Sequence, residues 1–343
     1  MNKKRIFITP KNDGEAVTIA EILERSGEEH LITRQGWGAS WGRLETEIFE
    51  ELSERDALQM TKEEHGKLLE IDDLINKLNQ RISELQSSYY SMPDGEEKTN
   101  IEMQIGNLKE MLAVAVTRRI ELAESLLGTI DPDKVDVYGI ELQGNAGGAR
   151  NIDHHAYGED DRRNPKASIE QVADIIEVPL SIEEQFVAAN DKGFIPEMEK
   201  LGAENGLTGQ DLEAIIQNVR MKDRMAQGIT LEQEAQAKAA IEQLGNLEGR
   251  REFIVDLPHS KTATVCDRMY GKYDELLIIS GDGETNFFGS APIIQMLDDR
   301  FPGGWKGGQL EQGSGFWGGY ADQKAIRKAV QEKFDKKRLD KGL

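Results

Sequence analysis

Cysteine is all but missing: Cys266 is the only one in 343 residues. A lone thiol excludes an internal disulfide and fits a reducing cytoplasm. Histidine is scarce as well, at five. No apolar run approaches the ~20 residues that a membrane-crossing helix needs. The basic start, Met1-Asn2-Lys3-Lys4-Arg5, leads into a short strand pattern and not into the apolar segment of a secretory leader. Positive charge is in deficit: 42 Lys and Arg stand against 63 Asp and Glu, a formal net charge of −21. Such a field opposes duplex nucleic acid, whose non-specific binding rests on many Lys/Arg–phosphate contacts. It still admits a small phosphorylated substrate held by local metal ions. Basic residues gather only at the C-terminus (Lys324, Lys328, Lys333, Lys336, Lys337, Lys341), in a pattern that reads as a solvated helix face.

What is present points to an α/β protein of two or three domains. Arg5–Thr9 reads as a buried strand, Val17–Leu23 as an amphipathic helix and His30–Arg34 as a second strand. The first crossover turn of this β-α-β unit carries Asp13 and Glu15. Acids at a place where phosphates usually meet backbone amides point to metal-mediated phosphate binding, and no Walker pattern is present. Asp13 taken alone reads as a helix cap. Trp37 and Trp41, separated by small residues, read as a stacking platform for a base or as a loop pinned by two buried indoles. Two apolar rows at 3-4 spacing follow. One runs from Ile71 to Leu85, the other from Ile101 to Leu126 with Arg119 breaking it, and Ser91–Gly95 makes a turn between them. They predict a helical hairpin over residues 60–128 that is free to dimerise or to fold on itself.

The sheet resumes at 135–142. A glycine-rich loop leads to Asp153-His154-His155, three metal-capable side chains in a row beyond a strand end. In open α/β sheets ligands bind there. Imidazole with added carboxylates favours ions such as Mn²⁺. A helix over 167–176 follows, with Ser168 as its cap and Gln171 completing a capping box. A further helix over 181–189 places Asp191 near its end. Residues 197–244 read as helical, broken at Gly206 and Gly228. Glu252–Leu257, Thr262–Val265 and Leu276–Ile279 read as strands, with a turn at 281–284 and a helix over 291–299. The glycine-rich stretches 302–308 and 313–319 read as backbone free to approach a ligand, or as plain surface loops.

Asp153-His154-His155 after a glycine-rich loop, with Asn190-Asp191-Lys192-Gly193 further on, resembles the DHH phosphoesterase family. The resemblance implies a parallel-sheet metal domain over 1–200 with residues 60–128 inserted. It implies a helical connector over 201–248 and a smaller α/β substrate-binding domain over 249–343. It implies a pair of Mn²⁺ ions, or Mg²⁺. Glu15, Glu141, His154 and Asp191 would hold one ion, and Asp13, Glu141 and Asp191 the other. Asp136 is the second match after Glu141. Asp153 would orient His154, and His155 would meet the substrate phosphate. Gly318 and Gly319 match the substrate-binding glycines of the second domain. The implied activity is two-metal hydrolysis of a short single-stranded oligonucleotide or a small nucleotide.

The departures are specific. The first-motif histidine is replaced by Thr9 or Pro10, Glu15 and Glu141 stand where Asp is usual, and no histidine follows the C-terminal glycine pairs. They lead to a second expectation, a catalytically weakened binding or assembly module that forms a homodimer through its hairpin.

Overall fold

Alternation of β-branched and aromatic residues in Lys4–Thr9 makes strand β1, buried at Ile6, Phe7, Ile8 and Thr9. The computed structural model describes residues 3–36, 38–93, 95–154, 165–308, 310 and 313–340. It divides into two compact units, one ending at Gly206 and one beginning at Leu207.

In the first unit, Asp13 caps helix α1 (Gly14–Arg25), which returns the chain to β2 (Glu29–Ile32) alongside β1. A 3₁₀ turn (Trp41–Arg43) and α2 (Thr46–Glu54) lead to the hairpin of α3 (Lys62–Ser91) and α4 (Glu96–Leu127). Thr61 and Glu64 close a capping box at its start. Its upper seam is the apolar cluster Ile82, Leu85, Ile101 and Ile105. Leu68, Ala123, Leu126 and Leu127 at its base belong to the main core with Ile6, Ile8, Phe49 and Val137. Arg119, the polar interruption in the α4 row, is buried. It donates to Asp72 Oδ1 (2.8 Å) and to the Leu44 carbonyl (2.6 Å), tying the hairpin to the turn before α2.

The chain then enters β3 (Val135–Ile140) on the other side of β1, followed by the short β4 (Arg150–Ile152). All four strands are parallel, in the order β2-β1-β3-β4. The order reverses between β1 and β3. At such a switch point the two connections leave the strand ends in opposite directions and open a crevice between them. Trp41 is fully buried, and a β-carbon on Gly139 would lie 2.2 Å from its ring, so the loop is pinned by this indole and β3 needs glycine there. Trp37 lies outside the described residues.

Helices α5 (Ser168–Ile176) and α6 (Ile182–Glu204) pack with α1. Two expectations are corrected here. Ser168 is not the cap of α5; that position is Ala167, whose N–H is taken by Glu170 Oε2 (2.8 Å). The helix expected over 181–189 runs on, breaking at Gly193 and Phe194, where Phe194 adopts φ 55°, and resuming from Ile195.

The second unit holds α7 (Gly209–Ala226) and α8 (Leu231–Glu242), separated at Gly228 as the glycine predicts. It then forms β5 (Glu252–Leu257), α9 (Ala263–Cys266), β6 (Glu275–Ser280), β7 (Thr285–Ser290), α10 (Ala291–Arg300), β8 (Trp305–Gly307), β9 (Ser314–Gly319) and α11 (Gln323–Asp340). The mixed sheet runs β5-β6-β7-β9-β8. Thr262–Val265, expected as a strand, is corrected to the one-turn helix α9, whose Val265 packs against Phe253 and Leu276 of the sheet. The glycine-rich stretches are largely strand: a β-carbon on Gly318 would lie 2.4 Å from Trp305, and one on Gly307 would lie 2.7 Å from Phe316. Buried Arg224 binds Glu234 through two nitrogens (2.7 and 3.0 Å) and also pairs with Asp267.

Candidate metal centre

Four side chains from four separate segments converge where the strand order reverses. Glu15 comes from the first turn of α1, just after β1. Glu141 follows β3, His154 follows β4, and Asp191 stands two residues before the break in α6. Each offers one ligand atom, and these atoms all lie within 4.8 Å of one another. Opposite donors on an ion with ~2.2 Å bonds are about 4.4 Å apart, so the group is of chelating size.

Local structure explains each position. Asp13 Oδ1 accepts from Ala16 N (2.8 Å), which starts α1 and turns Glu15 inward. Glu15 is only 3% exposed. Its Oε1 accepts from the backbone N–H of Ile169 (2.9 Å), in the first turn of α5. A helix N-terminus favours a carboxylate by its unsatisfied N–H groups and its dipole. Glu141 adopts φ 52°, a left-handed conformation that a residue with a β-carbon takes at a cost of about 1–3 kcal/mol. Its N–H donates to the Ile152 carbonyl (2.8 Å), which holds the turned backbone against β4. Its Oε1 accepts from Ser168 Oγ (3.0 Å). The start of α5 therefore steadies two carboxylates of the group.

His154 is 2% exposed. Its Nδ1 lies 3.7 Å from Glu141 Oε1 and its Nε2 lies 2.7 Å from Asp191 Oδ2. The second approach is a close contact of two buried atoms without hydrogen-bond geometry. Among the described residues, nothing hydrogen-bonds to the buried Glu15 Oε2 or to the buried Asn12 Oδ1 in the turn before α1. Burial pushes the Glu15 carboxyl well above its ordinary range. The negative charges of Asp191 and Glu141 push it further, the Ile169 N–H works against them, and Asp13 adds a smaller push. A divalent cation reverses that balance, since it favours the ionised form of every carboxylate around it.

Three carboxylates and one imidazole make an oxygen-rich set suited to Mn²⁺, Mg²⁺ or Fe²⁺ more than to the thiolate-loving ions. The structure thus brings together Glu15, Glu141, His154 and Asp191 from among the expected residues. Asp13 stands outside the group of four, as the cap of α1 and a charge near Glu15. Asp136 pairs with Lys3 (2.9 Å) and Arg150 (3.3 Å). Asp153 is half-buried, and its carbonyl receives Gln171 Nε2 at 3.5 Å. His155 lies outside the described residues. Gly318 and Gly319 are strand residues of the second unit whose missing side chains make room for Trp305 and Trp317. The sequence reading took Ser168 only as a helix cap and missed the hold that its hydroxyl and the Ile169 N–H have on the two carboxylates. The signal for them was their place, since they open the helix that follows Asp-His-His.

No protein-family model, no curated protein sequence and no solved structure matches this chain.

Proposed function

We propose that this protein is a divalent-cation-dependent phosphoesterase, with Mn²⁺ as the preferred ion and short single-stranded oligonucleotides or small nucleotides as substrates. The observation that carries the reading is Glu15 Oε2: a buried carboxylate oxygen with no hydrogen bond among the described residues, in a group with three more ligand atoms. A buried carboxylate oxygen left without a hydrogen bond is costly, and a cation removes that cost. Glu15, Glu141, His154 and Asp191 would hold the ion. A second ion would share Glu141 and Asp191 and draw on Asp13.

The bound ion supplies Lewis acidity and lowers the pKa of a coordinated water. The chain's own residues do the rest. Ser168 and the Ile169 N–H hold Glu141 and Glu15 in place. The family resemblance would give Asp153 the part of orienting His154, and His155 that of meeting the phosphate. Burial of Glu15 and His154 keeps bulk water from competing for the ligand atoms. The net charge of −21 favours a short substrate, because a long polyanion meets repulsion over its whole length.

The test combines metal analysis with hydrolysis. Purified protein loaded with Mn²⁺ is expected to retain the ion after desalting and to cleave bis-p-nitrophenyl phosphate or a short oligonucleotide. His154→Ala is expected to lose both properties. Retention without cleavage of any phosphoester overturns the enzymatic part, and no retention overturns the metal centre.

A further inference from the structure

Most apolar side chains of α3 and α4 face each other, and a smaller set does not. Leu74 on α3 is 42% exposed; Met111 and Val114 on α4 are 54% and 53% exposed. Together with Ile71 they line one shallow groove midway along the hairpin. The charges at its border supply a second observation. Glu110, Val114 and Arg118 are spaced four apart and form one ridge along α4. Glu110 and Arg118 are too far apart along the helix to pair with each other. Both are exposed, and neither makes an ion pair with any described residue. Other charges on α3 do pair along the helix, as Lys67 with Glu63 and Lys77 with Asp73.

We propose that this face packs against the same face of a second copy of the chain, antiparallel, about a two-fold axis at Val114. The ridge is self-complementary in that arrangement. Read in opposite directions, Glu110-Val114-Arg118 meets Arg118-Val114-Glu110, so each Glu110 faces the partner's Arg118 and the two valines touch. Ridges of i±4 residues packed side by side are the commonest helix contact and cross at about 50°. Such a crossing confines the interface to the groove and swings the remaining arms apart. The order of charges selects the occupant. A uniformly acidic or basic segment satisfies one end of the ridge and is repelled by the other, whereas a second copy satisfies both by symmetry. A contact this small gives a dimer that dissociates on dilution. The inference is independent of the metal centre.

Sedimentation velocity of the full chain, from low to high micromolar concentration, tests it. The wild type is expected to pass from monomer to dimer, and Val114→Glu to remain monomeric. Arg118→Glu sets like charges opposite each other and is expected to weaken the dimer by tenfold or more. The double variant Glu110→Arg with Arg118→Glu restores complementarity and is expected to recover the dimer. All three positions are exposed, and circular dichroism checks that the hairpin persists. A monomer throughout, a dimer indifferent to Arg118→Glu, or a double variant that stays dissociated overturns the proposal.

Discussion

Ser168 and Glu141 lie 27 residues apart in sequence and are joined at 3.0 Å, the serine hydroxyl donating to Oε1. The same helix turn holds Glu15 through the Ile169 N–H. Two carboxylates are thus aimed by one helix start.

Removing that hydroxyl is expected to loosen Glu141 without unfolding the sheet. Partners that hold a metal ligand in place contribute about 10–100-fold to metal affinity. Ser168→Ala should therefore bind Mn²⁺ about 10–100-fold more weakly in calorimetric titration, with an unchanged far-ultraviolet spectrum. An unaltered affinity would show that the hydroxyl does not position the ligand.

Glu15 sets a pH dependence whose sign follows from its raised pKa. The folded protein keeps the proton to higher pH than the unfolded chain, which releases it near the ordinary value of 4.5. Above that value the unfolded state binds fewer protons, so the metal-free protein loses stability as pH rises, by at most ~1.4 kcal/mol per unit. The contribution is intact below 4.5 and is lost once pH passes the raised folded value. Thermal unfolding of the metal-free protein between pH 5 and 8 should show this decline, Glu15→Gln should flatten it, and Mn²⁺ should offset it at neutral pH. A decline of the same slope in Glu15→Gln would assign it to other groups.

The second unit carries its own test. Arg224 is 1% exposed and holds Glu234 and Asp267, both buried or nearly so. Arg268 and Arg220 also reach these acids and share their charge. Arg224→Ala strands part of that negative charge and should destabilise the unit by about 3 kcal/mol, the lower end for breaking a buried pair. Urea unfolding followed by tryptophan fluorescence measures it. A loss below about 1 kcal/mol would mean that the two remaining arginines suffice.

Long periodic patterns were legible in the sequence. The two apolar rows and the turn signal at 91–95 place the hairpin, because a 3.6-residue period sustained over many turns has few other solutions. Asp191 was legible through the nearby Gly193, where the helix does break. Short elements were not. β4 has three residues and no pattern of its own; it exists because Tyr138–Ile140 offers it an edge. Three of the four residues Thr262–Val265 are β-branched, yet the chain is helical over Ala263–Cys266, since packing of Val265 outweighs a propensity worth tenths of a kcal/mol. The glycine-rich stretches looked like loops because glycine is read as freedom. Here glycine leaves room for an aromatic ring on the neighbouring strand. The backbone of Glu141 was illegible for another reason: a left-handed glutamate is imposed by β4 and leaves no trace in residue type.

The place of the hairpin in the chain has a consequence for how the protein can vary. It occupies the crossover from β2 to β3, and its root is anchored twice: Leu68 and Ala123 to Leu127 lie in the sheet's core, and Asp72 and Arg119 bind Thr46 and the Leu44 carbonyl. Beyond that root the arm has a seam of its own, at Ile82, Leu85, Ile101 and Ile105. The arm can lengthen, shorten or change its outer surface without moving a single strand terminus, so the acids and the imidazole beyond the strand ends are insulated from whatever the arm evolves to grip.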